Sequence, residues 1–154
     1  MTKILQMGNF IRRVRSSMRL GEFSRERLNV MRIEVRNSEA ACDWIARPAD
    51  LWDVDLPRHV RARNYATQAL QDALKMREIL FDTFGGICAA KLRAYQRSDH
   101  NEPELVLTGT AYRNDEEPAR IVATAMRARL LGFQFSLTDG ALERLISDRS
   151  PQWQ

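Results

Sequence analysis

From residue 57 to residue 84 the sequence PRHVRARNYATQALQDALKMREILFDTF has no glycine and no interior proline, and Val60, Leu70, Ala73, Leu74, Ile79, Leu80 and Phe84 give it one apolar face. A helix of that length with one apolar stripe draws most of its stability from what it packs on. The chain must therefore build something flat and apolar to lie beneath it. Asp55 is placed to cap the start of this helix and Pro57 to sit in its first turn, while Gly85 and Gly86 suit its end.

Both flanks supply strands. Before the helix, LNVMRIEVR alternates Met31, Ile33 and Val35 with Arg32, Glu34 and Arg36; NSEA is a turn signal, and ACDWIAR returns with Cys42, Trp44 and Ala46 on one side. Alternation of this kind is the period of a strand with one wet face. The stretch PADLWDVDLP, with its two prolines, reads as an irregular packed loop. After the helix, CAAKLRAYQR and LVLTGTAYR form a second hairpin across SDHNEPE. Glu116, Glu117 and Pro118 open a further helix with Ile121, Val122, Ala125, Met126, Leu130 and Leu131 inward and Gly132 as its stop. FQFSL is a short last strand and TDGALERLI a final turn or two of helix.

The inner β-α-β-β-α-β run predicts an α+β fold: an antiparallel four- or five-stranded sheet with the 57–84 and 117–131 helices on one face, the split βαβ arrangement of ferredoxin-like sandwiches. An N-terminal amphipathic helix is added to it. The division expected is a basic helix over residues 1–20 and a single α+β domain over 21–154. A chain of 154 residues is long enough to bury such a core without metal or disulfide support. Cys42 and Cys88 are expected as buried, reduced thiols in a cytoplasmic protein. No apolar run approaches the roughly 18 residues of a membrane span, and the N-terminus lacks the order of a signal peptide.

Residues 1–20 hold five of the 24 bases and none of the 20 acids, so the net charge of +4 belongs to this segment and the body is close to neutral. On a helical wheel Ile4, Met7, Ile11, Val14 and Met18 form a narrow stripe with Phe10 at its edge, and Arg12, Arg15 and Arg19 line up beside it. Such a helix packs on the body or on a second copy of itself, or lies on an anionic membrane surface or on nucleic acid. The expectation is a protein contact through Ile4, Met7, Ile11, Val14 and Met18. The 21 arginines to three lysines are expected to reflect the codon usage of a GC-rich, bacterial genome, the alternative being a demand for bidentate contacts.

Chemistry-bearing patterns are weak. Cys42, His59, Cys88 and His100 lack the close pairing of a structural zinc site; Asp53 and Asp55 read as a solvated acid and a helix cap; and the glycines at 85 and 86 end a helix where a phosphate loop would start one. No metal, cofactor or catalytic residue is expected. The better candidate is the wet face of the sheet, where Arg93, Tyr95 and Arg97 would be joined by Val106, Thr108, Thr110 and Tyr112 and, farther across, by Arg32 and Arg36. Sheets that bind single-stranded RNA present stacked aromatics among basic side chains. The reading is a non-enzymatic interaction protein, self-associating as a homodimer through this face or the N-terminal helix. Single-stranded nucleic-acid binding is the alternative, and a small enzyme of unknown reaction a second one.

Overall fold

The computed structural model of the chain describes residues 3–48, 55–98, 100–116 and 123–145. Asp53, Glu117, Pro118, Ile121, Val122 and the segment after residue 145, which entered the sequence reading, lie outside the described residues. The elements are α1 (Lys3–Ser17), β1 (Asn29–Arg36), β2 (Glu39–Ile45), α2 (Arg58–Thr83), β3 (Ala89–Arg97), β4 (Pro103–Tyr112), α3 (Thr124–Leu130), β5 (Phe133–Gln134), β6 (Leu137–Thr138) and β7 (Ala141–Leu142). The fold is α+β, with a five-stranded sheet in the order β1-β2-β3-β4-β5 and a separate two-stranded ribbon, β6-β7.

This order corrects the expected antiparallel sheet. β1–β2, β3–β4 and β4–β5 are antiparallel, but β2 and β3 run parallel, with Cys42 opposite Leu92 and Trp44 opposite Ala94. Parallel neighbours cannot be joined by a tight turn; they need a long crossover, and α2 provides it. The two hairpins are therefore laid side by side in chain order, and the ferredoxin-like interleaving is not what the strand pairing shows.

Alternation decides which residues α2 covers. Ala40, Cys42 and Trp44 on β2 and Ala90, Leu92 and Ala94 on β3 all enter the core. The helix meets them with Ala66, Ala69, Leu70, Ala73, Met76 and Leu80. Small side chains on both sides let helix and sheet approach closely, and Trp44 and Met76 fill the remaining volume. α1 joins the same core: Phe10, Val14 and Met18 are buried, and the Phe10 ring lies 5.8 Å from that of Phe84.

Several local expectations shift. α2 begins at Arg58 with Pro57, in extended geometry, as its N-cap and no side-chain cap bond; Asp55 is exposed and two residues too early to cap. At the other end of α2, Arg113 donates to the carbonyl oxygens of Phe81 (3.0 Å), Phe84 (2.7 Å) and Ile87 (2.8 Å). Its guanidinium also stacks 5.0 Å from the Phe81 ring. A cation from β4's end thus meets carbonyls at the end of α2 and in the link just beyond it.

On α3 the buried residues are Ala128 and, just beyond it, Leu131, while Met126 and Leu130 are exposed. The small Ala128 seats this short helix, with Ala125 and Leu131 inward as expected and Met126 and Leu130 outward against expectation. The TDGALERLI segment is not helical over its described residues: Asp139 and Gly140 both take positive φ (52° and 84°) and turn β6 back onto β7. This is the two-residue Asp-Gly hairpin turn, and glycine accepts the second position without strain. Cys42 is fully buried as expected, but Cys88 is exposed, in the link that enters β3 between buried Ile87 and Ala89.

Candidate interaction surfaces

On the sheet face away from α2, residues that pair in register form a row across all five strands: Arg32, Asp43, Arg93, Thr108 and Gln134. Asp43 is nearly buried and holds Arg93 (Nε–Oδ1 3.2 Å) on one side and Arg32 (Nη1–Oδ2 3.7 Å) on the other. Arg32 also hydrogen-bonds Glu34, and Arg36 reaches the same carboxylate at 3.0 Å. Beside Arg32 the Glu34 carboxyl is held below its usual range. Much of the basic character of this face is thus neutralised within it. The Thr108 hydroxyl is buried beside Arg93 with no hydrogen-bond partner.

The aromatics of this face do not form a platform. Tyr112 stands opposite Ala89 and Tyr95 opposite Leu105. Ala89 and Tyr95 are six residues apart on one strand, about 20 Å at the usual rise. Stacked nucleobases need aromatics on neighbouring positions. Arg97, at the far end, donates to Asn101 Oδ1 at 3.3 Å. A β-bulge between Ala94 and Tyr95 breaks the alternation, so that Val106 and Leu107 both join the core; Val106 is therefore not on the wet face where the sequence put it.

The second surface belongs to α1. Val14 and Met18 are buried, Met7 and Ile11 pack partly against the core, and Phe10, expected at the edge of the stripe, is completely covered. Ile4 departs from the expected stripe: it is 81% exposed, and Leu5 is exposed beside it, because the first turn of α1 reaches past what the body covers. Among Phe10, Val14 and Met18 the spacing is i, i+4, i+8, one tilted ridge of the helix.

Arg12, Arg15 and Arg19 line a groove between α1 and the connection to β1, with Arg27 and Asn29 on the far wall and Val14, Met18 and Leu28 in its floor; its volume is about 690 Å³. None of the four arginines has a hydrogen bond or ion pair among the described residues.

The far wall is fixed by a buried polar cluster that the sequence reading missed. Arg47, just beyond β2, makes a two-pronged pair with Asp72 and donates to the backbone oxygens of Met18 (2.6 Å) and Glu26 (3.3 Å). Gln68 donates to Asp72 and accepts from the backbone N–H of Phe23 at 2.7 Å. A Cβ at Gly21 would stand 2.5 Å from the Gln68 amide and 2.7 Å from Arg47, so any larger residue there would push the clasp out of its present geometry. The signal was present: Gln68 and Asp72 are polar residues one turn apart among Ala69, Leu70 and Ala73, and a polar pair in an apolar stripe requires a buried partner.

Among the described residues no three His, Cys, Asp or Glu side chains group as a metal site, and no helix is long and apolar enough to cross a membrane. Burial raises the Cys42 thiol far above its usual range, which opposes formation of a nucleophilic thiolate there. Comparison with protein-family models, with curated proteins and with solved structures returned no match.

Proposed function

We propose that this chain is a non-enzymatic interaction protein and that it takes an anionic partner in the groove along α1. The observation that carries the reading is the contrast between two sets of arginines. Arg32, Arg36 and Arg93 on the sheet face are held by acids of the same face, whereas Arg12, Arg15, Arg19 and Arg27 converge on one groove without an acid to balance them. The apolar floor admits a ligand with carbon as well as charge. Anisotropy of a labelled polyglutamate, titrated at two salt concentrations, tests it. Binding should weaken with salt and fall on Arg15→Glu with Arg27→Glu; no binding at low salt overturns the reading.

Self-association is the second reading, and Ile4 and Leu5 support it: two large apolar side chains stand exposed on the first turns of α1. Sedimentation velocity on the wild type and on Ile4→Ser with Leu5→Ser checks it, with loss of a dimer boundary expected in the variant. The single-stranded nucleic-acid reading through the sheet has less support, given the separation of Tyr95 from Tyr112. A membrane surface has less support too, because the core uses most of the apolar stripe of α1.

A further inference from the structure

The groove along α1 runs into a strand edge. Asn29 lines the groove and is also the first residue of β1, which is the outermost strand of the sheet. Over Asn29–Glu34 the outer side of β1 has no backbone partner among the described residues. Such an edge is a template for any extended chain that reaches it.

Two features restrict what can pair there. The first is charge. Arg27 stands at the entrance to the strand and, with Arg12, Arg15 and Arg19, lines the groove without an acid to balance it, whereas Arg32 and Arg36 along the strand are already held by Asp43 and Glu34. An acidic chain therefore meets attraction at the groove end of this edge. The second is shape. The β1–β2 register shifts between Val30 and Arg32, leaving Met31 as a bulge residue, 47% exposed. A bulge twists an edge and limits long flat pairing, while the exposed Met31 side chain offers an apolar contact to a short segment.

We infer that an acidic, extended segment of another protein binds by adding a strand to the outer edge of β1, with its carboxylates on the arginines of the α1 groove. This rests on the groove being the anion-binding surface. Backbone hydrogen bonds supply the strand pairing, and the arginines select the charge.

The experiment uses the full chain and three labelled probes: a Glu-Val repeat peptide, a Glu-Pro repeat peptide of equal length and charge, and a single-stranded RNA oligonucleotide. Binding is followed by anisotropy, and amide hydrogen exchange is measured over residues 29–34. Expected are binding of the Glu-Val peptide with slowed exchange in β1, much weaker binding of the Glu-Pro peptide, which lacks half the backbone donors, and a loss of roughly tenfold on Arg15→Glu with Arg27→Glu. These exposed substitutions spare the core, and unchanged thermal melting verifies the fold. If both peptides bind equally and β1 exchange is unchanged, strand addition is overturned while the anionic groove stands. If only RNA binds, with the same dependence on Arg15 and Arg27, the partner class is overturned. If no probe binds, both the inference and the groove reading fail.

Discussion

Arg47 and Asp72 join the end of β2 to the middle of α2 through a two-pronged ion pair, with Nε–Oδ2 at 2.8 Å and Nη2–Oδ1 at 2.5 Å and with side chains only 2% and 3% exposed. Burial pushes the Asp72 carboxyl upward, against the pull of Arg47 and the Gln68 amide. Breaking such a pair leaves one charge buried without its partner, at a cost of about 3–5 kcal/mol. Asp72→Asn should lower the urea midpoint accordingly. The double substitution Arg47→Met with Asp72→Leu should recover most of that stability, since apolar groups of similar volume leave no orphaned charge. A single substitution that unfolds no earlier than the wild type contradicts the role given to the clasp.

The seating of α1 divides its apolar residues into two kinds. Phe10 is completely buried and Ile4 is largely exposed. Phe10→Ala should cost about 3–5 kcal/mol in thermal or urea unfolding, whereas Ile4→Ser should stay within about 0.5 kcal/mol for the monomer. Equal effects at the two positions would show that α1 is held some other way.

Cys88 is exposed and Cys42 is not. In the native protein a thiol reagent should therefore modify Cys88 rapidly and Cys42 only after denaturant is added. Tryptic mapping of the labelled peptides separates the two, and early labelling at Cys42 would contradict its placement in the core.

The Tyr65 phenol is pushed up to about 12 from an ordinary 10.0 by burial. Between those values the unfolded chain gives up a proton that the folded chain keeps, so the associated stability is complete below about pH 10 and is lost as the pH rises toward 12. Tyr65→Phe has no such proton and should flatten this part of the stability profile in urea unfolding. Cys42, also raised by burial, remains in the variant and keeps some alkaline slope. An unchanged profile would mean that Tyr65 is hydrated in the fold.

Arg113 holds three carbonyls at the end of α2. Charge-assisted hydrogen bonds of this kind contribute about 1.5–3 kcal/mol. Arg113→Met should lower the melting temperature, and Arg113→Lys should restore little, because one ammonium cannot reproduce the spread of the guanidinium fork.

The elements with strong periodicity were legible from sequence. α2 and the two hairpins follow from their alternation, and the short loop Asn37–Ser38 closes the first hairpin where Arg36 faces Glu39. What alternation does not encode is which strand lies beside which. Val30, Cys42 and Leu92 look inward whether β2 neighbours β3 or not, so the parallel join was missed. The Asp139–Gly140 turn was written in the sequence as a hairpin signal, but the four residues of strand around it were too short to be read as alternating. At the groove, Arg12, Arg15 and Arg19 were visible as a row on α1, whereas Arg27 and the Arg47–Asp72–Gln68 clasp depend on contacts between distant parts of the chain.

The parallel join also sets an order of assembly. Each hairpin can close from neighbouring residues, but β2 and β3 can meet only after the intervening helix has folded back across them, a long loop closure that precedes any reward from their pairing. During synthesis Ala40, Cys42 and Trp44 are made well before Ala90 and Leu92, and Arg47 before Asp72. Until α2 is made, the nascent first hairpin lacks the helix that covers its apolar face and the carboxylate that pairs Arg47, and in that interval it is open to pairing with a wrong neighbour.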